Sequence, residues 1–488
     1  MKYCHSRSGL AGAIVLAGLA FGGTAQAAEA CEGLYGDMPE IGRIAKRGIG
    51  PHTSKMWMLG CECLDRDYAE FRKYKDYIPA LGIARIRLQA GWARCEREKG
   101  KFDFAWLDEP IDWAVEHGVH PTLDLSYGNL IYEGGGQAGL AGEIPSGKEG
   151  LAAWDRWIET LVTRYRGKVD DYLMWNEPDT SRAQNDLRAV AEFNVRTAKI
   201  IRRLSPESRI SALQLAQPTP ENIKVYIAAM GDDWKLFDSV CWHRYGINPD
   251  SRYAEHERIA KVLSEIAPGL KIRHTEAGCI SEWADFFAMK HYPWTEIRQA
   301  KWDMRRMLGD FVHGIPSSVF TICDYSHPGR GIGCYGLLRA DSARNVIGVK
   351  RAFYAVRNVA TVFDSELKRV ERRVSSPENS LQLWEFQRRG APLFVFWTTG
   401  EWTFENGKWR MAYKRPGDSL EKRPAVFSWP GKPLAEPVWV DLLTGEVRAF
   451  PRARMISCAD GLMFTDVPVY DSPCLITERA AIAIGPER

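Results

Sequence analysis

The sequence predicts an α/β fold: a (β/α)8 TIM barrel followed by a C-terminal antiparallel β-sandwich. Three observations predict it. From residue 58 to about 362, short apolar runs alternate with longer amphipathic segments eight times over, as a closed parallel barrel requires. Gly82, Gly118, Gly167, Gly231, Gly269 and Gly314 stand where a helix ends and the next strand begins, the position where a left-handed cap favours glycine. After Asp364 the pattern changes to short β-rich runs separated by Gly, Pro and Asn. The 488 residues have room for both units, since a barrel takes ~250 residues or more. A doubly wound open sheet is the competing arrangement, but no GxGxxG turn follows the first strand.

Taken in order, residues 1–28 read as a secretory signal peptide. Lys2 and Arg7 precede the small, apolar run Gly9–Gly23, and Ala25-Gln26-Ala27 supplies a cleavage site. The run is too short to span a bilayer, and no later window reaches 18 apolar residues. The expectation is a secreted or periplasmic protein without membrane insertion. Cys31, preceded by Ala28-Glu29-Ala30, lacks a lipid-attachment context. Residues 29–57 are irregular and join neither domain on sequence grounds. Residues 58–362 form the barrel, with candidate strands Met58–Cys63, Ala84–Ala90, His120–Ser126, Asp170–Asn176, Arg209–Leu215, Phe237–His243, Lys271–Glu276 and Ser317–Cys323. Helical patterns lie between them at Asp67–Leu81, Ala105–His117, Leu151–Arg166, Leu187–Leu204 and Glu296–His313. Residues 363–488 form the sandwich, where Trp439–Val447 reads as a hairpin turning at Thr444-Gly445.

Composition narrows the function classes. Hydrophobic residues at 45% and charged residues at 26% exclude disorder and collagen-like repeats. The net charge of +3 falls to +1 once Lys2 and Arg7 leave with the leader, so no nucleic-acid partner is expected. Trp, Tyr and Phe number 18, 18 and 19, an excess that supplies flat apolar faces for ligands or core. Ten cysteines remain after Cys4 is removed. In an oxidising compartment an even number permits disulfides, with Cys458–Cys474 and Cys323–Cys334 as the expected pairs. Cys61-Glu62-Cys63 has no partner pair at zinc spacing, and no strand end offers a His-x-His cluster, so neither metal nor cofactor is expected.

The chemistry concentrates at the C-terminal ends of the strands, where barrels carry their sites. Strand four ends in Trp175-Asn176-Glu177-Pro178 and strand seven in His274-Thr275-Glu276-Ala277-Gly278. Both carboxylates should face the mouth of the barrel. Two carboxylates flanking one bond is the requirement for glycoside hydrolysis, in which one protonates the leaving oxygen while the other attacks the anomeric carbon or activates water.

These motifs resemble the clan of retaining glycoside hydrolases built on (β/α)8 barrels, clan A, which includes families 5, 39 and 42. The resemblance covers roughly residues 56–362. It rests on Asn176-Glu177-Pro178, on Glu276 before Ala277-Gly278, and on Ala84-Arg85 with Trp92-Ala93-Arg94-Cys95-Glu96 and Lys99–Phe104. Trp242-His243-Arg244-Tyr245 at the end of strand six completes it. It implies that Glu276 is the nucleophile and Glu177 the acid/base, with Asn176 on the sugar 2-hydroxyl. Arg85 and Tyr245 are the candidates for keeping Glu276 ionised, with Arg87 as the fallback on the same strand face. His243 is placed on substrate or on Glu177, and Trp92 in the substrate-binding loop after strand two. The clan usually presents a Trp at the end of strand eight. Here Asp324-Tyr325 stands instead, so Tyr325 is assigned the sugar floor and Asp324 the sugar hydroxyls.

Two long loops are expected to wall the site. Residues 127–150 hold eight glycines among Tyr127, Asn129 and Tyr132, and read as a mobile insertion. Residues 279–295 offer Trp283, Phe286, Phe287, Tyr292 and Trp294 for stacking on sugar rings or for core. The expected partner is an oligosaccharide or polysaccharide whose β-linked bond is cleaved by double displacement. A transglycosylase using the same two glutamates and a catalytically silent carbohydrate-binding barrel are the alternatives.

Overall fold

Eight short parallel strands close into a barrel in the computed structural model: β1 (Trp57–Gly60), β2 (Arg85–Gln89), β3 (His120–Asp124), β4 (Asp171–Leu173), β5 (Arg209–Leu215), β6 (Ser239–His243), β7 (Lys271–Ala277) and β8 (Ser317–Val319). Closure is made by β8 beside β1, with Trp57 opposite Ser317 and Leu59 opposite Val319. The structure describes residues 33–180, 185–243, 245–371, 373–399, 402–405, 408–411 and 416–486. The leader, Cys4 and Cys31 therefore lie outside the described residues. Among the described residues no helix is long and apolar enough to cross a membrane.

The helices follow the amphipathic segments. Leu187–Leu204 buries Val190, Ala191, Ala198 and Ile201 and is capped by the Asp186 side chain, which accepts from the Arg188 amide at 3.3 Å. The expected helix over Asp67–Leu81 is not continuous: Phe71–Tyr74 is followed by 3-10 turns at Lys75–Tyr77 and Pro79–Leu81. Pro79 has no amide hydrogen to continue the ladder. All six inter-element glycines have positive φ. Helix Glu296–Val312 is buried on nearly every face because it lies between barrel and sandwich. Its polar residues anchor the two units, with Lys301 Nζ donating to Asp471 at 2.5 Å and Ser419 O at 2.6 Å.

Beyond the barrel an eight-stranded antiparallel sheet faces a three-stranded sheet of Arg423–Trp429, Gly461–Val469 and Met455–Cys458. Phe394 and Phe396 of the first pack against Phe427 and Phe464 of the second. The hairpin at Thr444-Gly445 forms, with Val440 opposite Val447 and Gly445 at φ 77°. The N-terminal segment belongs to this sandwich sheet: Glu40–Ile44 pairs with Glu446–Ala449 and Ile484–Gly485.

The expected disulfides are absent. All nine described cysteines are free. Cys458 is exposed in the three-stranded sheet while Cys474 is buried in the eight-stranded one, and Cys334 donates to Glu282 at 2.8 Å instead of meeting Cys323.

Candidate active site

Glu177 and Glu276 meet at the C-terminal mouth of the barrel. After β4 the chain stays extended to Asn176, which bridges to Gln214 of β5. Glu177 then adopts φ 49°, a left-handed conformation that costs a non-glycine residue ~1–2 kcal/mol. Its amide donates to Gln214 O at 2.9 Å, and Pro178 bars the ordinary helical alternative. A bulge in β5, with Leu213 at φ 55°, turns Gln214 into the barrel. Register shifts in β6–β7 and β7–β8 likewise fall at Glu276. One carboxylate oxygen of each glutamate and a ring nitrogen of His243 all lie within 4.8 Å of one another.

Arg87, fully buried at the centre of the barrel, organises the cluster. Its Nη1 donates to Glu276 Oε2 at 2.6 Å and to Glu62 Oε1 at 2.9 Å. Its Nη2 donates to Asp124 at 2.7 Å, Asn176 Oδ1 at 2.6 Å and Gln214 Oε1 at 3.1 Å. Tyr245 donates its hydroxyl to the other Glu276 oxygen at 2.7 Å. His243 Nδ1 lies 3.0 Å from Glu177 Oε1 and 3.7 Å from Glu276 Oε2, and its Nε2 is fixed by Thr275 at 3.1 Å. Asn176 Nδ2 donates to Tyr127 at 2.8 Å, which is also reached by Gln89 at 3.3 Å.

The two glutamates are thereby pushed apart in acidity. Burial raises Glu276, but His243, the Arg87 guanidinium and the Tyr245 hydroxyl outweigh it and hold the carboxyl down at about 2. Burial raises Glu177 too, and the negative Glu276 adds to the rise, against the hydrogen bond from His243. Of the two glutamates Arg87 touches only Glu276, so one carboxyl is held down while its neighbour is raised.

The expected residues distribute unevenly. Asn176, His243 and Tyr245 join the two glutamates, and Arg87 takes the place assigned to Arg85. Arg85 instead sits at the start of β2, bonded to Asp170 at 3.1 Å and Asp171 at 3.3 Å on the barrel floor. Asp324 does not face a sugar: it is buried, paired with Lys350 Nζ at 2.6 Å, and accepts from the Gly336 amide at 2.8 Å. Trp92 is fully buried among Tyr132, Trp154 and Trp157, leaving no face for a ligand. Tyr325 packs beside Phe320, Tyr335 and Phe287 next to the cluster. Trp283 is 57% exposed on its loop, while Phe287 packs against Tyr325 and Trp294 is buried.

The glycine-rich loop after β3 is not open. A side chain on Gly135 would meet Asn129 O at 2.0 Å, and one on Gly150 would meet Gly134 O at 2.0 Å. Its glycines permit close backbone packing, and Tyr132 and Asn129 fasten the loop to Glu96. Glu62, Asp124 and Gln214 bond to Arg87 in the cluster and were not placed by sequence reasoning, which named Tyr127 only in the wall loop. Alternation along β2 put residues 85, 87 and 89 on one face, which is the signal that pointed to Arg87.

Glu177, His243 and Glu276 also form a donor set that a divalent cation would accept. The Arg87 guanidinium, 2.6 Å from Glu276, opposes one by charge and by occupying the carboxylate.

No protein-family model matches the chain, and no curated protein is similar to it in sequence. Solved structures are similar in fold. A family 39 glycoside hydrolase from Bacteroides cellulosilyticus aligns with TM-score 0.64 at 16% identity, covering 88% of this chain and 81% of its own. A monomeric β-xylosidase from Caulobacter crescentus aligns with TM-score 0.57 at 16% identity, covering 89% and 97%. A family 30 endoxylanase from Clostridium papyrosolvens aligns with TM-score 0.55 at 12% identity, covering 90% and 98%. This chain has the barrel-and-sandwich fold of these family 39 and family 30 structures.

Proposed function

We propose that this chain is an exported retaining glycoside hydrolase that cleaves a β-linked oligosaccharide or polysaccharide, with Glu276 as nucleophile and Glu177 as acid/base. The observation that carries the reading is two buried carboxyls with oxygens within 4.8 Å of each other, one held down by Arg87, Tyr245 and His243 and the other raised by burial. That closeness supports double displacement, for which the carboxyl groups sit ~5–5.5 Å apart, over inversion, which needs ~6.5–9.5 Å to admit a water. The β-linkage is carried over from the β-xylosidase and endoxylanase with the same fold.

In this mechanism Glu276 attacks the anomeric carbon while Glu177 gives its proton to the leaving oxygen. Ester formation removes the charge of Glu276, so the repulsion that raised Glu177 disappears and it accepts a proton from the incoming water. Asn176 has two amide hydrogens, one donated to Tyr127 and the second assigned to the sugar 2-hydroxyl. Tyr325 lies nearly parallel to the buried Tyr335, 6.3 Å away, and is assigned the sugar floor.

The test exploits how the two glutamates fail. Glu177→Ala keeps its nucleophile, so an aryl glycoside with a good leaving group still glycosylates the enzyme, and azide rescues turnover with retained configuration. Glu276→Ala forms no intermediate, and azide entering from the vacated face gives the inverted product. Identical anomers from both variants, or full activity in either, would reject the assignment. A panel of aryl glycosides and polysaccharides with product analysis identifies the sugar.

A further inference from the structure

A cavity of about 870 Å³ opens at the opposite end of the barrel from Glu177 and Glu276. It is lined by residues at or before the starts of strands, including Lys55, Arg85, Arg209, Lys271 and Arg273, with Asp238 as the lining carboxylate. Lys271 and Glu276 stand five residues apart on β7, roughly 17 Å at 3.3 Å per residue, so this is a separate place.

Its charge is out of balance. The buried Asp171 alone receives three guanidinium groups: Arg273 through two bonds of 2.9 Å, Arg209 at 3.1 Å and Arg85 at 3.3 Å. Asp170 neutralises part of Arg85 at 3.1 Å, and Asp238 is already held by Arg202 at 2.8 Å. Lys55 and Lys271 add two more charges, and the histidines on the wall do not offset them. Burial lowers the pKa of Arg209, and although Asp171 raises it, the neighbouring Arg85 and Arg273 add to the lowering. Arg209 nevertheless leaves 46% of its side chain exposed to the cavity side. Apolar wall residues such as Trp57, Phe237, Leu270 and Ile315 give the cavity a surface for an organic body. Its volume is within the usual range for small-molecule sites.

We propose that the barrel floor is a binding site for a small organic polyanion, with a phosphate or sulfate group seated on Arg209, Arg273 and Arg85 and the rim lysines around it. A tetrahedral dianion fits the excess charge, with the half-exposed Arg209 as its direct donor and Arg85 and Arg273, held by Asp171, adding charge behind it. Binding there would relieve the repulsion among the arginines and stabilise the fold.

The experiment is calorimetry and thermal unfolding of the full chain with sodium pyrophosphate and, separately, inositol hexasulfate, each against chloride at equal ionic strength. Saturable binding with Kd below ~1 mM is expected, and Arg209→Gln should weaken it at least ~10-fold. Arg209→Gln should also be no less stable than the parent without ligand, since it removes a crowded charge, and its aryl-glycoside turnover should be unchanged. Pyrophosphate binding alone identifies a phosphate ester as the ligand class, and hexasulfate binding alone a sulfate ester. No saturation by either up to ~10 mM, or equal binding by Arg209→Gln, would overturn the proposal. Neither result bears on Glu177 or Glu276.

Discussion

Glu62→Gln tests how the buried charges of the site are balanced. Glu62 Oε1 and Glu276 Oε2 accept from the same nitrogen of Arg87, at 2.9 and 2.6 Å, so two carboxylates compete for one guanidinium arm. Burial, and the negative Glu276, raise Glu62 from 4.5 to about 7 against the pull of Arg87. The folded protein therefore keeps a proton between pH 4.5 and 7 that the unfolded chain has released. This contribution to stability is full below pH 4.5 and lost as pH rises through 7. A rise of 2.5 units corresponds to about 3 kcal/mol, of which about 2 to 3 kcal/mol disappears between pH 5 and 8. The amide introduced by Glu62→Gln still accepts from Arg87 through its oxygen and does not titrate. Urea unfolding followed by tryptophan fluorescence should show Glu62→Gln gaining about 2 to 3 kcal/mol on the parent from pH 5 to pH 8. Glu276, held down at about 2, acts oppositely: its contribution is present above pH 4.5 and lost as pH falls towards 2, outside that window. Parallel stability curves for the two proteins would show that Glu62 is ionised throughout and refute the reasoning.

Arg87→Met should lower kcat/KM by ~10²–10³ or more on aryl glycosides, whereas Arg85→Met should cost stability in urea and leave turnover intact. Tyr245→Phe removes a hydrogen bond that favours ionised Glu276, so the acid limb of kcat/KM against pH should move upward; an unmoved limb contradicts the contact. Chelators should leave activity unchanged, because Arg87 competes with any cation for Glu276, and an activity loss restored by a divalent metal would reverse that view. In the native protein a thiol reagent should modify exposed Cys458 first and reach Cys474 only on unfolding, with equal thiol counts before and after reduction of the described cysteines.

The barrel was legible because each strand is a local apolar run, six of them preceded by a glycine that ends the helix before. All eight runs became strands, and Arg209–Leu215 kept its expected bounds. Depth along a strand was not legible. Residues 85 and 87 share a face by alternation, yet one meets Asp171 at the floor and the other reaches Glu276, two residues nearer the mouth. Glu62 lay hidden between two cysteines, since its role exists only once β1 and β2 are side by side. Glu40–Ile44 was unreadable for a related reason: its partner strand lies some 400 residues away. The glycines after β3 were misread because flexibility and close packing ask for the same residue, and only the atoms at 2.0 Å from a would-be Cβ distinguish them.

The division of labour proposed for the glutamates rests on asymmetry around one cation. Glu177 and Glu276 are both buried and both near His243, so burial and the imidazole alone would leave them sharing a proton. Arg87 breaks the tie, because β2 places its guanidinium against Glu276 while Asn176 lies on its other nitrogen and keeps it from Glu177. Three carboxylates around that one buried charge cannot all ionise cheaply: burial raises Asp124 and pushes Glu62 up to about 7. The barrel interior therefore carries a surplus of acid and its floor a surplus of guanidinium, with Arg87 the only cation sent up to the mouth among the contacts described for the two glutamates. On this account the reactivity of Glu276 is set before any substrate arrives, by groups that need not move during the reaction.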